Sequence, residues 1–107
     1  MASYVLCLVT IDDIEKAAKI AKVLVSEKLA ACVNILPGLR SIYSWKGELC
    51  DESEYLLFIK TSGDGYPALE ARVKEMHPYE VPEIIAIPIE RGLAAYLRWI
   101  DDSMRSA

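Results

Sequence analysis

Three of the predicted strands are apolar on both faces, and this feature constrains the fold more than any other. The runs at residues 3–10, 30–36 and 84–89 are nearly continuous in apolar side chains, the pattern of strands that are buried on both sides of a sheet. Hydrophobic residues make up 53% of the 107 positions, above the roughly 45–50% that is usual for a soluble domain. The chain therefore carries more apolar surface than one small core hides readily.

The periodicity of the hydrophobic residues predicts six main secondary-structure elements and a closing helix within one domain, residues 1–107. They are a strand at 3–10, a helix at 12–29, a strand from 30, a strand ending at 61, a helix from Pro67 to Met76, a strand at 84–89 and a helix after Gly92. This β-α-β-β-α-β order is that of the ferredoxin-like α+β sandwich, in which both main helices lie on one face of an antiparallel sheet.

Capping and turn residues set the predicted boundaries. Asp12 is predicted to cap the first helix, with Glu15 three residues later in the manner of a capping box. Pro37 and Gly38 interrupt the second strand, which predicts a kink or bulge in one long strand. Residues 39–61 are then predicted to form a long hairpin between the second and third strands.

The second face of such a sheet has no main helix to cover it, although the strands are apolar there too. Tyr43, Trp45 and Tyr55 are predicted to add aromatic area to this face and to serve as interface residues. Because monomers rarely expose apolar patches beyond a few hundred Å², we expect an obligate oligomer. The alternative is that the final helix covers the face alone, but a dozen residues give a helix only about 18 Å long.

Charge and cysteine content exclude several classes of protein. The net charge of −4 disfavours a nucleic-acid partner, because phosphate backbones are bound by clustered Lys and Arg. Cys7, Cys32 and Cys50 are sparse and lack C-x-x-C spacing, so neither a zinc cluster nor a disulfide framework is predicted. No apolar run is long enough to span a bilayer, and Met1 leads into a strand without a basic segment. We expect a cytoplasmic protein.

The richest chemistry lies between residues 77 and 89. The single histidine, His77, is followed closely by Tyr79, Glu80 and Glu83, and two prolines stiffen the backbone between them. This pattern predicts a binding site. The alternatives are that His77 caps the end of a helix, and that the two glutamates lie in solvent or pair with a neighbouring subunit.

Five blocks of the sequence, in order and across nearly the whole chain, resemble the CutA divalent-cation-tolerance family. They are residues 27–35, 41–48, 58–61, 77–89 and 96–100. The resemblance implies a ferredoxin-like subunit that assembles into a tight homotrimer, similar in architecture to the PII signal-transduction proteins. It also implies a role in tolerance of copper and other divalent metals, as a binding or scaffold protein and not as an enzyme.

The resemblance implies a copper site only in altered form. Some bacterial relatives bind copper through a first-strand cysteine and a histidine pair before the Pro-Tyr dipeptide. Here Val9 stands at the cysteine position and Met76 at the first histidine, while His77 matches the second. Cys7 lies two residues earlier and faces the same way, and thiolate, thioether and imidazole together suit Cu(I). Cys7, Met76 and His77 are therefore the predicted metal ligands, and no metal is expected to be required for folding.

Clefts between subunits are the expected place for any other ligand. Lys60, Tyr79, Glu80 and Glu83 are the predicted cleft residues. The alternative function is a PII-like regulatory trimer that binds a small anionic effector there, although the Ser62–Gly65 loop has an acid and no following lysine. No nucleophile with an adjacent base predicts catalysis, and residues 54–61 lack the basic and aromatic pattern of an RNA-binding strand.

Overall fold

A four-stranded antiparallel sheet, with three helices around it, organises the chain. The computed structural model describes residues 3–105. Its elements are β1 (Tyr4–Ile11), α1 (Ile14–Ser26), β2 (Cys32–Trp45), β3 (Glu48–Ser62), α2 (Tyr66–Met76), β4 (Ile84–Pro88) and α3 (Ala94–Met104). The strand order is β2-β3-β1-β4, and every neighbouring pair is antiparallel. The predicted α+β class and element order are confirmed. Within residues 3–105, no helix is both long enough and apolar enough to cross a membrane.

The first helix begins one residue later than predicted. Asp13, not Asp12, is the N-cap, and its carboxylate accepts hydrogen bonds from the backbone N–H of Glu15 at 2.9 Å and of Lys16 at 3.1 Å. The helix ends at Ser26, short of the predicted limit, because Lys28 takes a positive φ of 60° that stops the helical hydrogen bonding. At the other end of α1, the Asp13 carboxylate also faces the positive end of the helix dipole.

The hairpin of β2 and β3 extends beyond the other two strands of the sheet. Pro37 and Gly38 form the predicted irregularity, a shift in register between Leu36 and Leu39. The turn at Lys46-Gly47 has positive φ at both residues, the pattern of a type I′ hairpin turn. β1 pairs with β3 only from Tyr55 onward, so residues 39–54 project as a two-stranded ribbon. This projection gives the molecule extents of 44 × 26 × 22 Å.

One face of the sheet forms the core with α1 and α2. Alternate strand residues point to this face, and Val9, Leu57 and Ile59 are fully buried against Leu24 and Leu69 of the two helices. Tyr55 also packs against this core, since its pairing with Ile11 places it on the helix-covered side. The prediction that Tyr55 adds to the uncovered face is therefore wrong.

The opposite face of the sheet is only partly covered by α3. The Tyr4 hydroxyl donates to the Asp101 carboxylate at 2.6 Å, and Ile100 is fully buried. The face remains open elsewhere: Ile85 and Ile87 of β4 are 49% and 47% exposed. Its apolar members are Leu6, Leu8, Leu36, Leu56, Phe58, Ile85 and Ile87. Within one chain, α3 does not cover this face alone.

Truncation of Leu57 tests the assignment of the core. Leu57 is 0% exposed, so we expect Leu57→Ala to lower the free energy of unfolding by about 2–5 kcal/mol through lost burial and a cavity. Leu93 lies before α3 at 75% exposure, and Leu93→Ala should change the free energy of unfolding by less than about 0.5 kcal/mol. Denaturant unfolding at one fixed protein concentration measures both. Equal losses would contradict the assignment of Leu57 to the core.

Candidate functional site

An open groove lies between the projecting ribbon and the residues that precede β4. Its volume is about 640 Å³. One wall is the ribbon face that carries Tyr43, Trp45, Glu52 and Glu54, since these residues alternate along paired strands and share one side. The other wall is residues 79–83. The groove is lined by Thr10, Asp12, Ser41, Ile42, Tyr43, Trp45, Glu52, Glu54, Tyr79, Glu80, Val81 and Glu83.

His77 anchors the second wall to the end of β1. It is 7% exposed, and its Nε2 lies 2.8 Å from the carbonyl oxygen of Thr10. Because a carbonyl oxygen only accepts, Nε2 carries the proton, and Nδ1 accepts from the backbone N–H of Tyr79 at 3.2 Å. Both ring nitrogens are therefore engaged by the backbone. His77 occupies the C-cap position of α2, but its imidazole bonds to β1 instead of to the helix carbonyls.

Tyr79 carries the link across the groove. The centres of the Tyr79 and His77 rings lie 4.5 Å apart in an edge-on arrangement. The Tyr79 hydroxyl donates to Oε2 of Glu54 at 2.7 Å. Burial, and next the hydrogen bond to Glu54, raise the pKa of Tyr79 above its ordinary value. The phenol thus stays neutral and fixes the wall of the groove to its floor.

Glu54 is a site residue that sequence reasoning missed. It is 5% exposed and lies on the same side of β3 as Leu56 and Phe58. A carboxylate in phase with the apolar residues of a strand was the available signal. The signal was hidden because residues 51–54 look like a polar loop when the third strand is started at Tyr55, whereas β3 begins at Glu48.

The ribbon adds two further polar contacts at the rim of the groove. The Tyr43 hydroxyl donates to Glu52 at 3.0 Å, and this hydrogen bond, followed by burial, raises the pKa of Tyr43 to about 12. The ammonium of Lys46 lies 3.7 Å from the Glu80 carboxylate and 5.7 Å from the centre of the Trp45 ring. An ammonium thus already sits between an aromatic ring and a carboxylate there.

The predicted cleft residues are only partly brought together. Tyr79, Glu80 and Glu83 line the groove, as their spacing indicated. Lys60 instead lies on the open face of the sheet, where its ammonium donates to the side-chain oxygen of Asn34. Within one chain, the groove therefore has the predicted acids and tyrosine but not the predicted lysine.

The predicted metal ligands are not arranged to hold an ion within one chain. Cys7 is fully buried in the core, and burial raises the pKa of its thiol to about 12, so it is protonated. Met76 packs against the same core, and both nitrogens of His77 are engaged. Across residues 3–105, no group of three or more His, Cys, Asp or Glu side chains is placed to bind a metal. These residues do not fit a copper ion as they stand.

Comparison with known proteins agrees with the fold and the sequence blocks. Residues 5–103 match the model of the family described as CutA1 divalent ion tolerance protein. The chain belongs to this family. It is 52% identical over 96 residues to the divalent-cation tolerance protein CutA of Thermus thermophilus, covering 90% of this chain and 93% of that protein. The solved CutA1 of Oryza sativa superposes with a TM-score of 0.93 at 43% identity, covering 98% and 96% of the two chains.

Longer CutA proteins also match. Protein CutA of Homo sapiens is 51% identical over 87 residues, which cover 80% of this chain and 49% of that protein. The chain thus spans about half the length of its human relative.

The alkaline stability of the protein tests the Tyr79–Glu54 contact. A tyrosine whose pKa is raised by folding contributes stability that is complete below the unfolded value of about 10 and is lost as the pH rises through the folded value. We expect the free energy of unfolding to fall above about pH 10, and to fall less steeply in Tyr79→Phe. Denaturant unfolding between about pH 8 and pH 12 measures this. Parallel pH profiles for the two proteins would contradict it.

Proposed function

We propose that this CutA protein is a homotrimer of ferredoxin-like subunits that serves divalent-cation tolerance as a binding or scaffold protein and not as an enzyme. The family assignment supports the link to cation tolerance. The observation that carries the assembly is the open apolar face of the sheet. The buried, protonated Cys7 and the fully engaged His77 support a role without catalysis, since neither is free to act as nucleophile or base.

The surface area of the single chain favours assembly. The chain of 11.9 kDa exposes 6911 Å². A folded monomer of this mass is expected to expose about 6,000 Å². Ile85 and Ile87 on the open sheet face are among the apolar side chains that this surface exposes. Burying apolar surface of this kind in an interface contributes a favourable free energy of about 25 cal/mol per Å².

The ribbon and the sheet edge favour assembly for a second reason. A two-stranded ribbon is marginally stable by itself, and residues 39–54 pair with no third strand among the described residues 3–105. The outer edge of β2 runs for 14 residues, and a long edge of this kind invites pairing with another chain. Head-to-tail contacts close into a ring when the rotation between subunits allows it, and the proposed trimer would be such a ring.

A charge on the open face tests the assembly. We expect the wild type to have three times the mass of one chain, and Ile87→Glu to dissociate because it would bury an unpaired carboxylate. Ile14→Glu is the matched control: Ile14 lies at the start of α1 and is 45% exposed, against 47% for Ile87. Light scattering after size-exclusion chromatography gives the masses. A wild type that is folded at the mass of one chain, or an Ile87→Glu protein that keeps the wild-type mass, would overturn the proposal.

In this proposal, metal ions bind to the folded protein and are not required for folding. The core closes through side-chain packing, and His77 is held by two backbone hydrogen bonds. Copper remains the ion suggested by the resemblance. Any copper held by Cys7, Met76 and His77 would need the ring of His77 to leave its present partners, which makes the scaffold role the better supported one.

Titration with Cu(I), Cu(II) and Zn(II) tests the copper set. Because both ring nitrogens are engaged, we expect His77→Ala to bind each ion as the wild type does. Cys7→Ser, which replaces the buried thiol, should do the same. Metal analysis of protein purified without added copper completes the experiment. A tenfold or greater loss of Cu(I) affinity in both variants, about 1.4 kcal/mol, would restore the set as a copper site.

The second candidate function is a PII-like trimer that binds a small effector in the clefts between subunits. A groove of about 640 Å³ beside the proposed interface favours it. Its lining contains five carboxylates, from Asp12, Glu52, Glu54, Glu80 and Glu83. This charge disfavours the anionic effector that the analogy suggests.

The site of action is proposed to be the cytoplasm. The three cysteines, Cys7, Cys32 and Cys50, are all free thiols, which suits a reducing compartment.

A further inference from the structure

Lys60 lies on the open face of the sheet with a neutral partner. Alternation along β3 places it on the same side as Leu56 and Phe58. Its ammonium donates to the side-chain oxygen of Asn34, and none of the ion pairs within residues 3–105 includes it. Of the strand residues on this face within that range, it is the one with a positive charge.

Assembly through the open face would bury this ammonium further. Lys60 is already half-buried in one chain, and the proposed trimer covers the apolar side chains around it with neighbouring copies. An ammonium that is taken out of water is costly unless a carboxylate meets it. The amide oxygen of Asn34 engages one of its three N–H donors and brings no charge. The assembled protein therefore favours an acidic group opposite Lys60.

The projecting ribbon, residues 39–54, carries an accessible acidic group on the matching side. Of the carboxylates that line the groove, Glu52 is the exposed one that belongs to the ribbon, and its side-chain hydrogen bond comes from the neutral Tyr43. Glu54 is 5% exposed, so its carboxylate is not open to another chain. An even number of residues separates Glu52 from Lys60 along β3, so both side chains lie on the open-face side.

Glu52 and Lys60 are too far apart to meet within one chain. Eight residues of the same extended strand separate them, a distance of about 26 Å at roughly 3.3 Å per residue. The ribbon, however, extends beyond β1 and β4, so it is free to lie on the open face of another copy. Such a contact sets the carboxylate on one copy against the ammonium on the other, and opposite charges of this kind fix the register of an interface.

We propose that Lys60 of one copy forms an ion pair with Glu52 on the ribbon of the next copy at each subunit boundary. The pair joins two different surfaces of the chain, as a head-to-tail ring requires. It also brings to the groove the lysine that the sequence predicted there and that a single chain leaves on the open face. The inference deepens the proposed trimer and rests on it.

A double-mutant cycle on the dissociation of the assembly tests the pair. We expect Lys60→Met, which keeps an unbranched side chain but removes the charge, to raise the dissociation constant about tenfold or more, because Glu52 is left unpaired in the interface. Glu52→Gln, at an exposed position, should raise it in the same direction and keeps the test valid if Lys60→Met fails to fold. The double variant should lose less than the product of the two single effects, because the pair is already broken.

Light scattering over a series of protein concentrations, in urea that partly dissociates the wild type, measures these constants. Circular dichroism of the same samples shows whether each variant is folded. Lys19→Met is the matched control, because Lys19 is exposed on α1, which packs on the opposite face of the sheet. It should assemble as the wild type does.

Three results would overturn the ion pair. They are a Lys60→Met protein that assembles as tightly as the wild type or more tightly, single effects of Lys60→Met and Glu52→Gln that multiply in the double variant, and an equal loss in Lys19→Met and Lys60→Met. The mass of the wild type separates these results from the assembly itself. A wild-type trimer with any of the three overturns the ion pair alone, whereas a folded wild type at the mass of one chain overturns the trimer and the pair with it.

Discussion

The register of β3 between its two neighbours is the constraint on which the rest of this CutA structure depends. Along its inner half β3 pairs with both β1 and β2, and along its outer half with β2 alone. Alternation then sends Leu57 and Ile59 to the helix-covered core, Phe58 to the open face and Glu54 to the floor of the groove. A slip of one residue would exchange the two sets. Core, proposed interface and groove are thus fixed by one set of pairings.

A short series of side-chain contacts connects the groove to the core. His77 bonds to the backbone at the end of β1, Tyr79 packs on His77, and the Tyr79 hydroxyl reaches Glu54 on β3. Each contact is buried or half-buried, so the hydrogen bonds compete less with water than they would at the surface. These contacts hold the residues before β4 against β1 and β3, and Pro78 and Pro82 further restrict the backbone there.

The family's association with divalent cations and the chemistry of this groove can be related through charge. The chain has no assembled copper ligands within residues 3–105, but it gathers acidic side chains against aromatic rings in a groove next to the open sheet face. An acidic surface of this kind raises the local concentration of cations in general. A scaffold that closes around its apolar faces would place one groove of this kind beside each subunit boundary.

Local and periodic features were determined by the sequence alone. The helical spacing of α1, the bulge at Pro37-Gly38, the stiff segment at 77–83 and the excess of apolar strand surface follow from nearest neighbours in the chain, because propensity and alternation act over a few residues. Family membership followed from the same local blocks.

Contacts between distant residues were decided only by the tertiary structure. The sequence suggested Cys7, Met76 and His77 as one ligand set, but strand pairing buries the thiol in the core, and the turn before β4 places the imidazole on Thr10, 67 positions away. Glu54 looked like part of a loop, yet its pairing with Leu39 makes it a buried floor residue. Such outcomes depend on register across the sheet, which no short stretch of sequence encodes.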